Sequence, residues 1–349
     1  MEKIAFLDRD GCLIFEPPNT KQIDSLAKLQ VLPKVIEGLQ NLQREGYELV
    51  LVSNQNGVGS KSFPKRAFEI PQKKFLEILK KEGITFSQVF ICPHLPSTNC
   101  ACRKPKIGLL KNFLKQEKID FTQSFMLGDR DTDSEFGKNL GVASFQMQTN
   151  GDFPRLGFVK RKTTETDIFV GCNLDGKGIY KIETGIGFFD HMLEQFSRHA
   201  LVDLTISAKG DLQVDKHHTV EDVAITLGEA LSKALGNRAG IRRFSTLIPM
   251  DDALAETALD LSGRPFLVFN AKFKSEMVGE FPTELLEHFF QSLTQSLKAN
   301  LHINVKAGKN EHHKIEAIFK SFAKSFRFAI EKDVRLDNLI PSTKGSLGK

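Results

Sequence analysis

A chain of 349 residues, 40% hydrophobic and 26% charged, has room for two domains of about 150 residues each and lacks an apolar run near the ~20 residues a membrane span requires. Its formal charge of +5 is scattered rather than striped, which suits anionic small substrates and argues against nucleic acid as a partner. The N-terminus runs directly into a strand with no signal-peptide pattern, so a cytoplasmic setting is expected, where five cysteines bind metal or pack rather than form disulfides.

The first half alternates short apolar runs with helical segments. Residues 4–7, 49–52, 89–91 and 125–127 read as buried strands, and 31–45, 64–82 and 106–117 as helices between them. This is the α/β pattern of a doubly wound parallel sheet, which binds ligands at its strand C-terminal ends. Asp8-Arg9-Asp10-Gly11 follows the first strand. Residues two apart in extended chain project the same way, so Asp8 and Asp10 can face one substrate. One carboxylate can attack phosphorus while the other protonates the leaving oxygen and later activates water. Ser53-Asn54-Gln55, Arg103-Lys104-Pro105 and the 128–133 segment Gly-Asp-Arg-Asp-Thr-Asp follow in order. Hydroxyl and amide groups hold phosphoryl oxygens, lysine offsets charge, and aspartates anchor Mg²⁺.

Between these clusters, Cys92, His94, Cys100 and Cys102 place three thiols and an imidazole within eleven residues, the ligand set of a closed tetrahedral structural Zn²⁺ site. Residues 150–163 combine turn formers with a basic cluster and read as a linker, giving domains of 1–163 and 164–349.

The second half repeats itself. His191 precedes a His217-His218-x-x-Glu221 box by 26 residues, and His288 precedes a His312-His313-x-x-Glu316 box by 24. Alternating strands at 202–206 and 301–305 lie between, further strands are expected at 166–170, 177–183, 256–260 and 265–273, and each box opens a long helix, 217–235 or 312–331. The second domain is therefore expected to be α+β, with two repeated β-sheet-plus-helix halves. Adjacent histidines on a helix point about 100° apart, so His217 and His218 serve different ions, as do His312 and His313. Six imidazoles and two carboxylates suggest two ions, each with three histidines and a glutamate drawn from both copies. Mixed N and O ligation suits Mn²⁺, with Fe, Co, Ni or Zn as alternatives. His199 and His302 have no counterpart in the repeat and read as structural.

The four ordered clusters of the first half resemble the haloacid dehalogenase superfamily of phosphohydrolases. The resemblance implies Asp8 as nucleophile and Asp10 as general acid/base, with Ser53, Asn54, Arg103 and Lys104 on the substrate. Asp129 would join Asp8 and the Asp10 carbonyl on Mg²⁺, with Asp133 supporting. Cys12 stands where that superfamily often has threonine and is expected to pack. The zinc loop resembles the histidinol-phosphate and heptose-bisphosphate phosphatase branch. In the second half, the 187–193 and 215–222 segments, Glu165-Thr166, the 261–265 segment and the 342–345 segment closely resemble imidazoleglycerol-phosphate dehydratase.

That resemblance implies Glu165 as proton carrier, with Asp251 or Asp252 assisting, and a phosphate clamp of Arg243, Arg264, Ser342 and Lys344. It also implies trimers built into a 24-subunit homo-oligomer whose metal sites close between subunits. The two halves in this order resemble the bifunctional histidine-biosynthesis family, whose two activities are separated by an aminotransferase step, so direct channelling is not implied. Two alternatives stay open: a first half acting on another sugar or amino-alcohol phosphate, and a second half that stores metal or assembles without turnover.

Overall fold

A computed structural model describes the chain apart from residues 117, 148–150, 246–247, 334, 337–338, 343–344 and 348–349 and the side chains of 116, 244 and 245. Lys344 of the expected clamp thus lies outside the described residues. The chain divides into two compact units, Met1–Pro154 and Arg155–Lys349. Among the described residues no helix is long and apolar enough to cross a membrane.

The first unit runs β1 (Lys3–Leu7), α1 (Val35–Arg44), β2 (Tyr47–Asn54), α2 (Lys65–Lys81), β3 (Gln88–Cys92), a short α3 (Phe113–Gln116), β4 (Phe125–Gly128), α4 (Asp131–Leu140) and β5 (Ala143–Gln146). Its strands form one parallel sheet in the order β3-β2-β1-β4-β5. The order reverses direction between β1 and β4, so their C-terminal ends flank the crevice where such sheets bind ligands. Apart from the partly exposed Lys3, β1 and β4 are apolar and buried, as central parallel strands must be. The expected helix at 106–117 is instead a 3₁₀ turn, Gly108–Leu110, followed by α3. The Gly108 N–H donates to the Ala101 carbonyl at 3.1 Å, and a side chain at Gly108 would meet that carbonyl, so this segment follows the preceding loop rather than a helical ladder.

The second unit contains the duplication. Its first half is β6 (Leu156–Lys162), β7 (Thr166–Asn173), β8 (Tyr180–Glu183), α5 (Gly187–Ala200), β9 (Asp203–Gly210) and α6 (His217–Leu235). The second is β10 (Phe244–Ser245), β11 (Ile248–Met250), β12 (Ala253–Asp260), β13 (Phe266–Asn270), a β14–β15 hairpin (Met277–Val278, Phe281–Pro282), α7 (Leu285–Leu297), β16 (Asn300–Ala307) and α8 (Glu311–Ile330). The sheets match: β6-β7-β9-β8, with β8 parallel to β9, and β10-β12-β16-β13, with β13 parallel to β16. The expected linker at 150–163 is corrected here. Residues 156–162 form β6, paired antiparallel along β7, and the basic cluster at its end makes ion pairs, Arg161 Nε with Asp222 at 2.7 Å among them.

The two halves interlock. Helix α5 of the first packs on α8 of the second, and α6 on α7. Phenylalanines fill the space between: Phe289, 1% exposed, meets the rings of Phe189 at 5.4 Å, Phe290 at 5.0 Å and Phe319 at 5.3 Å. Truncating such a ring removes its transfer free energy and leaves a cavity. Phe289→Ala is therefore expected to cost the second unit about 3–5 kcal/mol, read as a lower urea midpoint at unchanged slope.

Candidate active sites

In the first unit, β1 delivers Asp8 and Asp10, β2 ends in Ser53 and Asn54, and β4 leads to Asp129 at the same edge of the sheet. Gly11 turns the chain back with φ +79°, and a Cβ there would lie 2.3 Å from Asp129 Oδ2. Only glycine allows Asp129 this close to the first strand. Lys104 is buried with its Nζ 2.7 Å from both Asp8 Oδ1 and Asp133 Oδ1. Asn54 fixes this lysine by a reciprocal pair of bonds, donating to the Lys104 carbonyl at 3.1 Å and accepting from its N–H at 3.0 Å. Despite the opposing effect of burial, Asp8 and Asp133 hold the lysine's pKa above its ordinary value.

The carboxylates outnumber their cations. Burial and the neighbouring charge of Asp8 push Asp129 up to about 7. Burial likewise raises Asp10, against the pull of Arg9 and Gln55. Asp129 Oδ1 is buried without a hydrogen-bond partner, and Asp8, Asp129 and Asp133 hold oxygens within 4.8 Å of one another, a donor set that suits a hard divalent cation. Asp133 is already engaged, by Lys104 and by the Arg130 N–H at 3.2 Å. That arrangement leaves Asp8 and Asp129 as the side chains with coordination to offer. Cys12 is buried with its Sγ 3.5 Å from the Leu127 carbonyl. Ion-paired Glu16 and Arg130 also line the cavity, and no motif spacing marks Glu16 as part of it.

Cys92, His94, Cys100 and Cys102 converge after β3. Sulfur separations of 3.3 and 3.7 Å from Cys92 to Cys102 and Cys100, and 3.1 Å from His94 Nδ1 to Cys102, are near or below the ~3.8 Å expected between donors ~2.3 Å from a tetrahedral zinc. The three thiols are free of disulfides. Burial would raise Cys100, but its contacts with Cys102 and Cys92 bring it down to about 6, while burial takes Cys92 up to about 12. Arg103 ties this loop down, donating to Asn56 Oδ1 at 2.7 Å and the His94 carbonyl at 3.1 Å.

In the second unit, both histidine boxes open their helices the same way. Asp215 Oδ1 accepts from the His217 N–H just ahead of α6, and Asn310, the N-cap of α8, accepts from the His312 N–H, each standing two positions before its box. Because α5 packs on α8 and α6 on α7, the histidines pair across the duplication. The His191 and His312 rings lie 6.3 Å apart, with His312 Nε2 3.6 Å from Glu316. The His217 and His288 rings lie 4.9 Å apart, with His217 Nε2 3.7 Å from Glu221. Each group so assembled holds two imidazoles and one glutamate. These sets are looser than the cysteine loop and the aspartate cluster, which are the groups of three or more ligand atoms within 4.8 Å among the described residues.

The second histidine of each box turns its ring to carboxylates instead. The His218 ring is 6.2 Å from that of His217, and its Nδ1 contacts Asp211 at 3.1 Å and Glu165 at 3.9 Å. The His313 ring is 6.1 Å from that of His312, and its Nδ1 contacts Asp252 at 2.7 Å. The Asp211 bond raises the pKa of His218, and bonds from the Lys309 N–H and His313 lower that of Asp252. Glu165 immediately precedes β7 as Asp252 precedes β12, so the duplication places both acids beside equivalent histidines. Asp251 lies 3.8 Å from His313 Nε2. His199 and His302 meet Gln195 and Phe266, outside the paired sets.

The expected clamp residues are partly committed. Arg243 grips Asp260 through two nitrogens and donates to the Pro341 carbonyl at 3.0 Å, which anchors the segment leading to Ser342. Arg264 is exposed on the turn before β13, its N–H held by Ser262 Oγ at 3.3 Å.

The family model described as imidazoleglycerol-phosphate dehydratase matches residues 184–326, and the one described as polynucleotide kinase 3 phosphatase matches 3–154. The histidine biosynthesis bifunctional protein HisB of Buchnera aphidicola subsp. Schizaphis graminum is 47% identical, with 99% of each chain covered. Its namesake from Actinobacillus pleuropneumoniae serotype 3 is 46% identical over 98% of each. Among solved structures, the imidazoleglycerol-phosphate dehydratase of Staphylococcus aureus is 36% identical with a TM-score of 0.47, covering 51% of this chain and 99% of that one. Relatives that align through both units, over almost all of their own length, leave no part of this architecture unshared, and the chain belongs to the family of bifunctional histidine biosynthesis proteins.

Proposed function

We propose that this chain catalyses two steps of histidine biosynthesis: hydrolysis of L-histidinol phosphate in the first unit and dehydration of imidazoleglycerol phosphate to imidazoleacetol phosphate in the second. The observation that carries the reading is the crossed pairing of His191 with His312 and of His217 with His288, inside the segment that matches the dehydratase model.

In the first unit Asp8 attacks phosphorus and Asp10 protonates the departing oxygen, leaving an aspartyl phosphate. Asp10 then takes a proton from the water that hydrolyses it. Ser53 and Lys104 hold the phosphoryl oxygens, the lysine ammonium standing 2.7 Å from Asp8 Oδ1. Mg²⁺ held by Asp8 and Asp129 would neutralise charge on the transferring group. A structural Zn²⁺ in the cysteine loop would hold that loop beside the site.

In the second unit the two histidine groups suit Mn²⁺, which would supply Lewis acidity toward the substrate's imidazole nitrogen and diol oxygen. Glu165 removes the carbon-bound proton and the hydroxyl on the neighbouring carbon leaves, the two together making water, and the enol takes a proton on carbon as it gives up its O–H proton to become the ketone. Arg264, Ser342 and Lys344 are the phosphate clamp, a planar guanidinium fitting phosphate oxygens well, while Arg243, held by Asp260 and the Pro341 carbonyl, anchors the segment that carries Ser342. His218 and His313 have their Nδ1 atoms on carboxylates, the arrangement that leaves a ligand's Nε2 for metal. They complete sites on neighbouring copies in a 24-subunit assembly of trimers, so metal and assembly are coupled.

The test strips metal from the purified protein and restores Mn²⁺. Dehydration of imidazoleglycerol phosphate should return with the metal, and His217→Ala should fail to recover it; a metal-loaded, assembled protein without turnover would reduce the second unit to a binding module. Asp8→Asn should abolish histidinol phosphate hydrolysis while leaving dehydration intact. Turnover of heptose bisphosphate in preference to histidinol phosphate would reassign the first substrate. Elemental analysis should find about one zinc per chain, lost in Cys102→Ser together with thermal stability of the first unit, with dehydration unchanged.

A further inference from the structure

Asp10 is held by two side chains that the chemistry above does not use. Gln55, 2% exposed at the end of β2, donates through Nε2 both to Asp10 Oδ2 and to Ser53 Oγ, the latter at 2.9 Å. Its own backbone is fixed by a bond from its N–H to the Cys92 carbonyl at 2.8 Å. Arg9 has no solvent exposure, and its guanidinium lies 5.0 Å over the Phe68 ring. Arg9 Nη1 donates to the same Asp10 oxygen, Oδ2, at 3.3 Å. Asp10 Oδ1 lies 3.1 Å from that nitrogen but is buried with no hydrogen-bond partner. The two oxygens of one carboxyl are thus made unequal: Arg9 Nη1 lies near both, but Gln55 donates to Oδ2 alone.

We propose that Gln55 and Arg9 are positioning residues that aim Asp10, fixing Oδ2 so that Oδ1 is the oxygen that passes the proton. The inference rests on Asp10 acting as the acid and base of the first unit. A carboxyl free to turn about its Cβ–Cγ bond would present either oxygen, whereas donors on one side select an orientation. Charge balance alone does not account for the pair. Gln55 is neutral, and Lys104 already sits between Asp8 and Asp133. Gln55 also links the two ends of the reaction, since the hydroxyl it touches belongs to the residue that holds the phosphoryl group. In the first step the ester P–O bond breaks as the Asp8 oxygen bonds to phosphorus, and the Oδ1 proton goes to the leaving oxygen. In the second, water bonds to phosphorus, the Asp8–phosphorus bond breaks, and the water proton returns to Oδ1.

The distinguishing variable is the leaving group. Histidinol leaves as an alkoxide and needs the proton, whereas p-nitrophenol leaves as a stable anion. The full-length protein with Mg²⁺ is mixed with each ester, and first-turnover release is timed. In Gln55→Leu, histidinol release should slow by about 10²-fold. Nitrophenol release in the first turnover should slow by no more than about threefold, because little proton transfer is needed. It should appear as a burst before slow turnover, since hydrolysis of the aspartyl phosphate still depends on Asp10. Arg9→Lys, which keeps the charge but loses the guanidinium fork, should show the same pattern in smaller degree and serves if Gln55→Leu does not fold. Equal slowing of both esters in the first turnover, or slowing of neither, overturns the inference. A wild-type protein that turns over neither ester, or an Asp8→Asn protein that remains active on both, would instead overturn the phosphatase reading itself.

Discussion

Helix α5 lies on α8 and α6 lies on α7, so each half of the second unit closes over the histidines of the other. A half alone has one imidazole on its first helix and a His-His-x-x-Glu box on its second, and neither comprises a metal group. Crossing the helices brings His191 to His312 and His217 to His288. The packing that does this is apolar. Phe189, Phe281, Phe289, Phe290, Phe319 and Phe322 fill the interface, with stacked and edge contacts that fix the helices in both rotation and translation. The aromatic core therefore sets the separation of the imidazoles, and the ligand geometry depends on it more directly than on any polar contact.

The first unit depends on a different balance. Asp8, Asp10, Asp129 and Asp133 are drawn together by the ends of β1 and β4 and the start of α4, where water is largely excluded. Like charges in such a place repel, and one buried lysine bridges two of them. Burial, and after it the charge of Asp8, pushes Asp129 up to about 7, and one of its oxygens is buried without a hydrogen-bond partner. In the proposed phosphatase chemistry a divalent cation held by Asp8 and Asp129 would offset this charge.

Much of this was legible in the sequence because it is local. Asp8-Arg9-Asp10-Gly11, the cysteine loop and the histidine boxes each lie within a few residues, and helix phase alone separates His217 from His218. The histidine boxes also set the starts of α6 and α8, which appear where expected. What was not legible depended on register between distant segments. Asp252 reaches His313 across 61 residues, and Gln55 reaches Asp10 across 45. No spacing rule announces either contact. Strand β6 was hidden by composition, since Lys160-Arg161-Lys162 reads as a solvated cluster, yet in the folded chain it extends the sheet beside β7 and meets Asp222 and Asp167. The duplication itself held the missing signal: a strand is needed before β7 if one stands before β12.

Duplication also shows how two equivalent positions have come to differ. Asp252 receives the Lys309 and Asn310 N–H groups and the His313 ring, and these three donors hold it as an anion in one place. Glu165, one methylene longer at the matching position, stands 3.9 Å from His218, whose nearer acceptor is Asp211 at 3.1 Å. The orienting role that Asp252 fills in one half has passed to Asp211 in the other. A residue that must carry a proton has to move between donor and acceptor and cannot also serve as a fixed cap. With Asp211 orienting His218, Glu165 is relieved of that task. In the proposed dehydration, this difference between the two halves favours Glu165 over Asp252 as the proton carrier.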